Sequence, residues 1–332
     1  MINFNQERLT KTLIFNDSDT LILVEAFISC VTQQGILSMG LVISTVNMKG
    51  GVGKTTLTVN LATCLAKYHG KRVLVLDLDS QISATLSLMS PHEFAKIRRK
   101  RRTLSYLLTN IILPNPHSKL DVHDIVQPYI CNIEGLDLLP GDLELYDEYV
   151  VSETLHKRAG TFDAFDFKTV WNHFERVLIE KIIASVVEHY DLIIMDCAPG
   201  YNLLTRSGLA ASHYYLLPAR PEPLSVVGMQ LLERRIAKLK ESHQKTAPLT
   251  LNLLGVVFIS SGGGILSRYY NRVMKRVQQD FNPYQLFDTS IPMDVNVAKA
   301  VDSFCPVVET MPNSNGSKAF IKLTEEFLSK LP

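Results

Sequence analysis

The run from Leu41 to Thr56, Leu-Val-Ile-Ser-Thr-Val-Asn-Met-Lys-Gly-Gly-Val-Gly-Lys-Thr-Thr, constrains this chain more than any other stretch. Its first six residues, all but Ser44 apolar or β-branched, read as a buried strand. A glycine-rich turn, Lys49 to Thr56, follows. Leu57, Leu61 and Leu65 then recur at helical spacing. A strand, a glycine loop, Lys-Thr and a helix in that order form a P-loop. Gly50, Gly51 and Gly53 let the backbone close around a phosphate without Cβ clashes. The loop amides and the helix N-terminus supply donors and positive potential. Lys54 is placed to reach β- and γ-phosphates, and the Thr55 hydroxyl to ligate Mg2+.

The usual pattern has glycine six residues before Lys54, where this chain has Met48. A second lysine, Lys49, opens the loop instead. Lys-Gly-Gly-Val-Gly-Lys-Thr-Thr resembles the deviant Walker A box of the ParA/MinD ATPases, and more specifically of ParA/Soj-type partition ATPases. The resemblance implies that Lys49 crosses to the ATP of a partner subunit, so that ATP clamps a homodimer. It also implies that Lys49, Gly50, Gly51, Val52, Gly53, Lys54, Thr55 and Thr56 hold the nucleotide.

Two further acidic strand ends extend the resemblance. Arg72 to Leu76 is a buried strand that runs into Asp77-Leu-Asp79-Ser80-Gln81, at the edge where open α/β sheets bind ligands. This is similar to the ParA Asp-x-Asp-Pro-Gln segment, with Ser80 in place of proline. Asp79 would then activate the attacking water, with Lys49 and Lys54 as the other catalytic groups, and Asp77 would support the Mg2+ shell. Tyr190 to Gly200 is a second buried strand, with Walker B form, ending in Asp196, which would hold Mg2+ with Thr55. Cys197 lacks the Cys-Gly-Gly context of a cluster ligand and reads as a small packed residue. Phe287 to Pro292 resembles the segment that lies near the adenine ring, which assigns Pro292 to nucleotide binding.

Strands and helices alternate along the chain: His213–Leu217 and Leu249–Ser260 read as strands, Val177–His189, Ser225–His243, Ser267–Phe281 and Ser317–Leu331 as helices. That order predicts an α/β fold, a single P-loop NTPase domain over residues 39–332 with a mostly parallel twisted sheet and helices on both faces. With 46% hydrophobic and 20% charged residues, the chain can bury a sizeable core. Residues Met1 to Ser38 read as a poorly ordered extension or as the product of an upstream start codon. Leu21 to Leu37 holds Glu25, Gln33 and Gln34 and is too polar for a membrane span. The five cysteines are scattered and form no Cys-x-x-Cys pair, which argues against a disulfide framework or a zinc site. Lys96 to Arg102 is a basic run that reads as a solvated helix face, a phosphate contact or a site for an acidic partner. The Tyr146–Arg176 stretch suggests no role, and Trp171 in it reads as core.

The net charge of +1 gives no global attraction to nucleic acid, so any such binding needs a local patch. The predicted helices carry two: Arg234, Arg235 and Lys238, then Arg272, Lys275 and Arg276. By the resemblance, the ATP-bound homodimer holds DNA without sequence preference. A ParB-like or other adaptor then stimulates hydrolysis and releases it, segregating plasmid, chromosome or a protein cargo such as carboxysomes. The expected cofactors are ATP and Mg2+, and the expected location is cytoplasmic and nucleoid-associated, without stable membrane association. Two alternatives stand beside this. A MinD-like membrane ATPase would need a basic amphipathic C-terminal helix, whereas Phe320 to Pro332 carries Glu325 and Glu326. A metabolic ATP-dependent synthetase would need a second substrate pocket with its own motif.

Overall fold

A parallel sheet is the framework, and the computed structural model describes it through residues 40–118, 120–161, 166–244, 247–260, 273, 277 and 281–332. The expectation for residues 1–38 lies outside the described residues, as does most of the expected helix over Ser267–Phe281. The chain runs β1 (Leu41–Thr45), α1 (Lys54–His69), β2 (Val73–Asp77), then three helices, α2 (Ser83–Leu88), α3 (Pro91–Arg99) and α4 (Leu104–Ile112). A short α5 (Val122–Ile125) leads to β3 (Leu136–Leu139), followed by α6 (Glu148–Thr161), α7 (Phe167–Ile183) and β4 (Leu192–Asp196). The second half continues with α8 (Leu203–Ala210), β5 (Tyr214–Ala219), α9 (Pro223–His243), β6 (Asn252–Ser260) and β7 (Ile291–Pro292). It ends with α10 (Val295–Asp302), α11 (Val307–Thr310) and α12 (Asn315–Lys330).

The seven strands are ordered β3-β2-β4-β1-β5-β6-β7, and every named pair is parallel. The chain leaves the central β1 toward β2 and β3, returns to β4, and then builds the other half. The C-terminal end of β1 is therefore the point where the winding reverses, the position where such sheets bind ligands. Alternate side chains feed two cores. Val42, Leu74, Leu76, Ile193 and Met195 pack on one face, and Ile43, Val73, Val75, Leu192 and Ile194 on the other. Both faces of the sheet are thus covered by helices, as the near-continuous apolar strands require.

The stretch without an assigned role is an anchor. Helix α7 begins ten residues before the expected Val177, because Asp166 caps it by accepting a hydrogen bond from the Thr169 amide. Phe174, Leu178, Ile179 and Ile182 are buried against the sheet. Trp171 is half-buried on that core with the Arg206 guanidinium 5.7 Å from its ring centre. Arg206 also pairs with the buried Glu175 at 2.8 Å, which joins α7 to α8.

The C-terminal helix closes the other face. Phe320, Leu323 and Phe327 are fully buried in the same core as Leu57, Leu61 and Leu65 of α1. Phe320→Ala should therefore destabilise the protein by about 3–5 kcal/mol. Urea unfolding measures this, and a loss below about 1 kcal/mol would show that α12 is not part of the cooperative core.

Candidate functional site

Three carboxylates and one ammonium converge where β1, β2 and β4 end. The sheet register places Asp77 beside Asp196, with Thr45 of β1 on the other side of Asp196. Asp77 and Asp196 are buried, and Asp79 is 7% exposed. Burial is the main reason that both Asp77 and Asp196 are held above the ordinary carboxylate range, Asp77 at about 6. For Asp196 the neighbouring Asp77 charge adds to the rise, while the Thr55 hydroxyl and Lys54 oppose it.

The loop between β1 and α1 curls over this edge. Gly53 has φ 88°, a left-handed conformation that favours glycine, and a Cβ there would come within 2.2 Å of the terminal methyl Ile259 Cδ1. Gly50 and Gly51 face open space instead. Asn47 fixes the loop by accepting from the Lys49 amide at 2.9 Å and donating to the Pro218 carbonyl of β5 at 2.8 Å. The Lys54 ammonium is buried across the loop mouth and donates to the Lys49 carbonyl at 3.2 Å. Its pKa is lowered by burial, against the pull of Asp196.

The Thr55 hydroxyl donates to Asp196 Oδ2 at 2.7 Å, and Asp196 Oδ1 is buried without a hydrogen-bond partner. A buried carboxylate oxygen left unpaired is costly. Together with the Thr55 hydroxyl and the open glycine cradle, it fits a magnesium ion carried by a phosphate chain. Asp77 is differently placed. Its Oδ2 accepts from the Thr85 amide and hydroxyl at 2.8 Å each, and its Oδ1 accepts from the Asp79 amide at 3.2 Å. Those bonds set the turn that carries Asp79. Ile82, three residues on, has φ 49°, a left-handed conformation disfavoured for a β-branched residue, and its amide bonds the Asp79 carbonyl.

Lys49 stands outside the loop, half-exposed, with its ammonium 2.8 Å from Glu222 Oε2. Glu222 is the residue before α9, and Arg234, Arg235 and Lys238 are exposed on that helix. The Arg235 guanidinium lies 5.4 Å from the Tyr201 ring centre. Arg272, Lys275 and Arg276 lie outside the described residues. Pro292 sits on the edge strand β7, beside Ser260 of β6. The basic run forms the end of α3 and the turn after it. Arg98 bonds Asp142 at 3.0 Å, beside a cleft of about 810 Å³ that Arg99, Arg101, Tyr106 and Glu144 also line. No residue of the glycine loop lines that cleft.

Sequence reading did not single out Asn47, Thr85 or Glu222. Asn47 adjoins the loop and was within reach of a local argument. Thr85 and Glu222 gain their roles only when distant elements meet.

Comparison with known proteins gives a consistent result. The description "AAA domain" matches residues 40–248. A ParA family protein of Chlamydia trachomatis serovar D is 30% identical over 284 residues, spanning 85% of this chain and 95% of that one. The sporulation initiation inhibitor protein Soj of Bacillus subtilis is 29% identical, spanning 87% and 98%. Among solved structures, apo McdA from Cyanothece superposes with a TM-score of 0.64 at 19% identity, covering 87% of this chain and 99% of that one. Cobyrinic acid a,c-diamide synthase from Mycobacterium smegmatis with bound ADP and magnesium gives 0.62 at 22%, covering 87% and 94%.

The buried carboxylates give a pH test. Asp196 titrates higher in the folded chain than its ordinary 3.8, so the folded state binds more protons and stability falls as pH rises through the folded value. Asp196→Asn should raise the melting temperature of nucleotide-free protein by a few °C at about pH 8. The gain should vanish below about pH 4. Calorimetry across pH checks this, and an equal or lower melting temperature at the alkaline end contradicts it.

Proposed function

The chain belongs to the ParA family of P-loop ATPases, and from that membership we propose that it is an ATP-driven positioning protein built on a domain spanning residues 39–332. It binds Mg-ATP, dimerises around it, holds DNA without sequence preference, and lets go when a partner stimulates hydrolysis. The observation that carries this reading is the split between two lysines. Lys54 is buried at the mouth of the loop, while Lys49 is exposed and held only by a surface ion pair. Such a pair in water is worth about 0–1 kcal/mol, so Lys49 is available to another subunit at little cost.

In this reading Lys54, the loop amides of residues 49–56 and Pro292 hold the nucleotide. Thr55 and Asp196 hold the magnesium, and Asp77 holds the turn behind it. Bound there, magnesium would neutralise the negative charge that develops on the phosphates. Asp79 orients and deprotonates the attacking water, with its turn fixed by the bonds to Asp77. Lys49, released from Glu222, completes the partner's phosphate cage, which makes hydrolysis depend on dimerisation. Arg234, Arg235 and Lys238 supply the DNA-facing cations, joined by Arg272, Lys275 and Arg276. A ParB-like or other adaptor triggers release, and the cargo is a plasmid, a chromosome or a protein assembly such as a carboxysome. The location is then cytoplasmic, on the nucleoid.

The MinD-like alternative is weaker because the apolar face of α12 is already buried against the fold. Among the described residues, no helix is long and apolar enough to cross a membrane. The synthetase alternative is separated by its activator, since turnover would follow a small carboxylate and ignore DNA and protein partners.

Two measurements test the proposal. Asp79→Ala should keep ATP binding and dimerisation while turnover falls by about 10²–10⁴-fold; unchanged turnover would remove Asp79 from the mechanism. Binding to non-specific duplex DNA across a salt series should be tight only with ATP. Replacing Arg234, Arg235 and Lys238 by alanine should flatten the log–log salt slope by roughly 2–3. Equal binding with ATP, with ADP and without nucleotide would overturn the DNA-tether model.

A further inference from the structure

The basic run 96–102 takes no part in the nucleotide edge, yet three of its arginines line one cleft. Arg98, Arg99 and Arg101 come from the end of α3 and the turn after it, Tyr106 and Asn110 from α4, and Asp142 and Glu144 from the segment after β3. The cleft holds about 810 Å³. Small-molecule sites span roughly 300–1,000 Å³. One wall is fixed by side chains: Tyr106 and Asn110 each hydrogen-bond the Ser118 hydroxyl at 2.8 Å, which ties α4 to the loop beyond it.

The three arginines are not equivalent. Arg98 is used within the fold, where its Nε donates to Asp142 Oδ1 at 3.0 Å. Asp142 is buried and also accepts from the Thr103 hydroxyl at 2.7 Å and from the Glu144 amide at 3.2 Å. Arg99 and Arg101 are exposed at the cleft, with no carboxylate within ion-pair distance among the described residues. Arg99 Nε donates to the Ala95 carbonyl of its own helix at 3.1 Å, which orients the guanidinium and leaves its terminal nitrogens for another acceptor.

Arg101 stands at a position that favours glycine. Its φ is 56°, its amide donates to the Arg98 carbonyl at 2.9 Å, and the Arg102 amide donates to the Ile97 carbonyl at 3.0 Å. Those two bonds are the common C-terminal stop of a helix, in which the left-handed residue is most often glycine. An arginine there carries a conformational cost that glycine would not.

We propose that this cleft is an anion site, distinct from the glycine loop, that takes a small organic phosphate. The Arg99 and Arg101 guanidiniums match a phosphate group through paired N–H donors. Glu144 offers a carboxylate to the ligand's hydroxyl groups, and Tyr106 and the exposed Leu113 offer apolar surface to its carbon frame. A compact ligand fits better than a duplex, since a continuous phosphate backbone laid across the cleft would also meet the exposed Glu144 carboxylate. The inference stands apart from the DNA and cargo reading.

The test is calorimetric titration of ribose 5-phosphate into the nucleotide-free full chain, with ribose as the uncharged control. Ribose 5-phosphate should bind and ribose should not. Binding should persist in Lys54→Ala, which disables the glycine loop, and weaken by at least about tenfold when Arg99→Gln and Arg101→Gln are combined. Arg101→Gly separates binding from folding: it should melt no lower than the parent chain, because the left-handed turn is eased, and still lose affinity. Lys96→Ala with Lys100→Ala removes two cations of the same run that do not line the cleft, and should leave binding intact. The proposal fails if ribose 5-phosphate does not bind. It fails if binding is lost in Lys54→Ala and kept without Arg99 and Arg101, which would place the phosphate in the glycine loop. Equal weakening on removal of Lys96 and Lys100 would mark diffuse charge attraction and overturn it as well. Duplex DNA binding that requires Arg99 and Arg101, without binding of ribose 5-phosphate, would make the run a nucleic-acid contact instead.

Discussion

Everything at the nucleotide edge depends on how the fold tolerates three carboxylates in one small volume. Asp77 and Asp196 are neighbours on adjacent parallel strands, and Asp79 follows two residues later. Close, buried like charges repel, and desolvation disfavours each charged form. The chain offsets this unequally. Asp77 is satisfied by hydrogen bonds from Thr85 and the Asp79 amide, while Asp196 keeps one oxygen without a partner. Lys54 is the buried cation nearby, and its own burial lowers its pKa. The arrangement is a charge imbalance that a magnesium-bearing phosphate would relieve.

That imbalance is built into the sheet. Loop and acids meet because β1 lies between β4 and β5, and because all the pairs are parallel with their C-terminal ends together. Asn47 ties the loop to β5 through Pro218, and Glu222, at the start of α9, holds Lys49. The cationic helix therefore begins at the ion-pair partner of the loop's first lysine.

The fold alone does not select a task. McdA and a cobyrinic acid diamide synthase superpose on this chain almost equally well, at TM-scores of 0.64 and 0.62. What separates tasks on one scaffold is local chemistry. Here that chemistry is a second lysine at the loop's opening, cations on an exposed helix face, and a C-terminal helix whose apolar face is used internally.

The strands, the glycine loop, the order of βα units and the three acidic strand-end residues were legible in the sequence, because each rests on local rules: apolar runs, glycine at positions of positive φ, and helical periodicity. The start of α7 was not, since its cap Asp166 lies in a polar stretch that resembles a loop. Nor was the difference in hydrogen bonding between Asp77 and Asp196, because it is Thr85, eight residues on, that donates to Asp77. The pairing of Lys49 with Glu222 spans about half of the chain. Local sequence determined what each segment could become. Only the tertiary structure decided which polar groups were satisfied within the fold and which were left facing the site, since hydrogen-bond partners distant in sequence are chosen by packing.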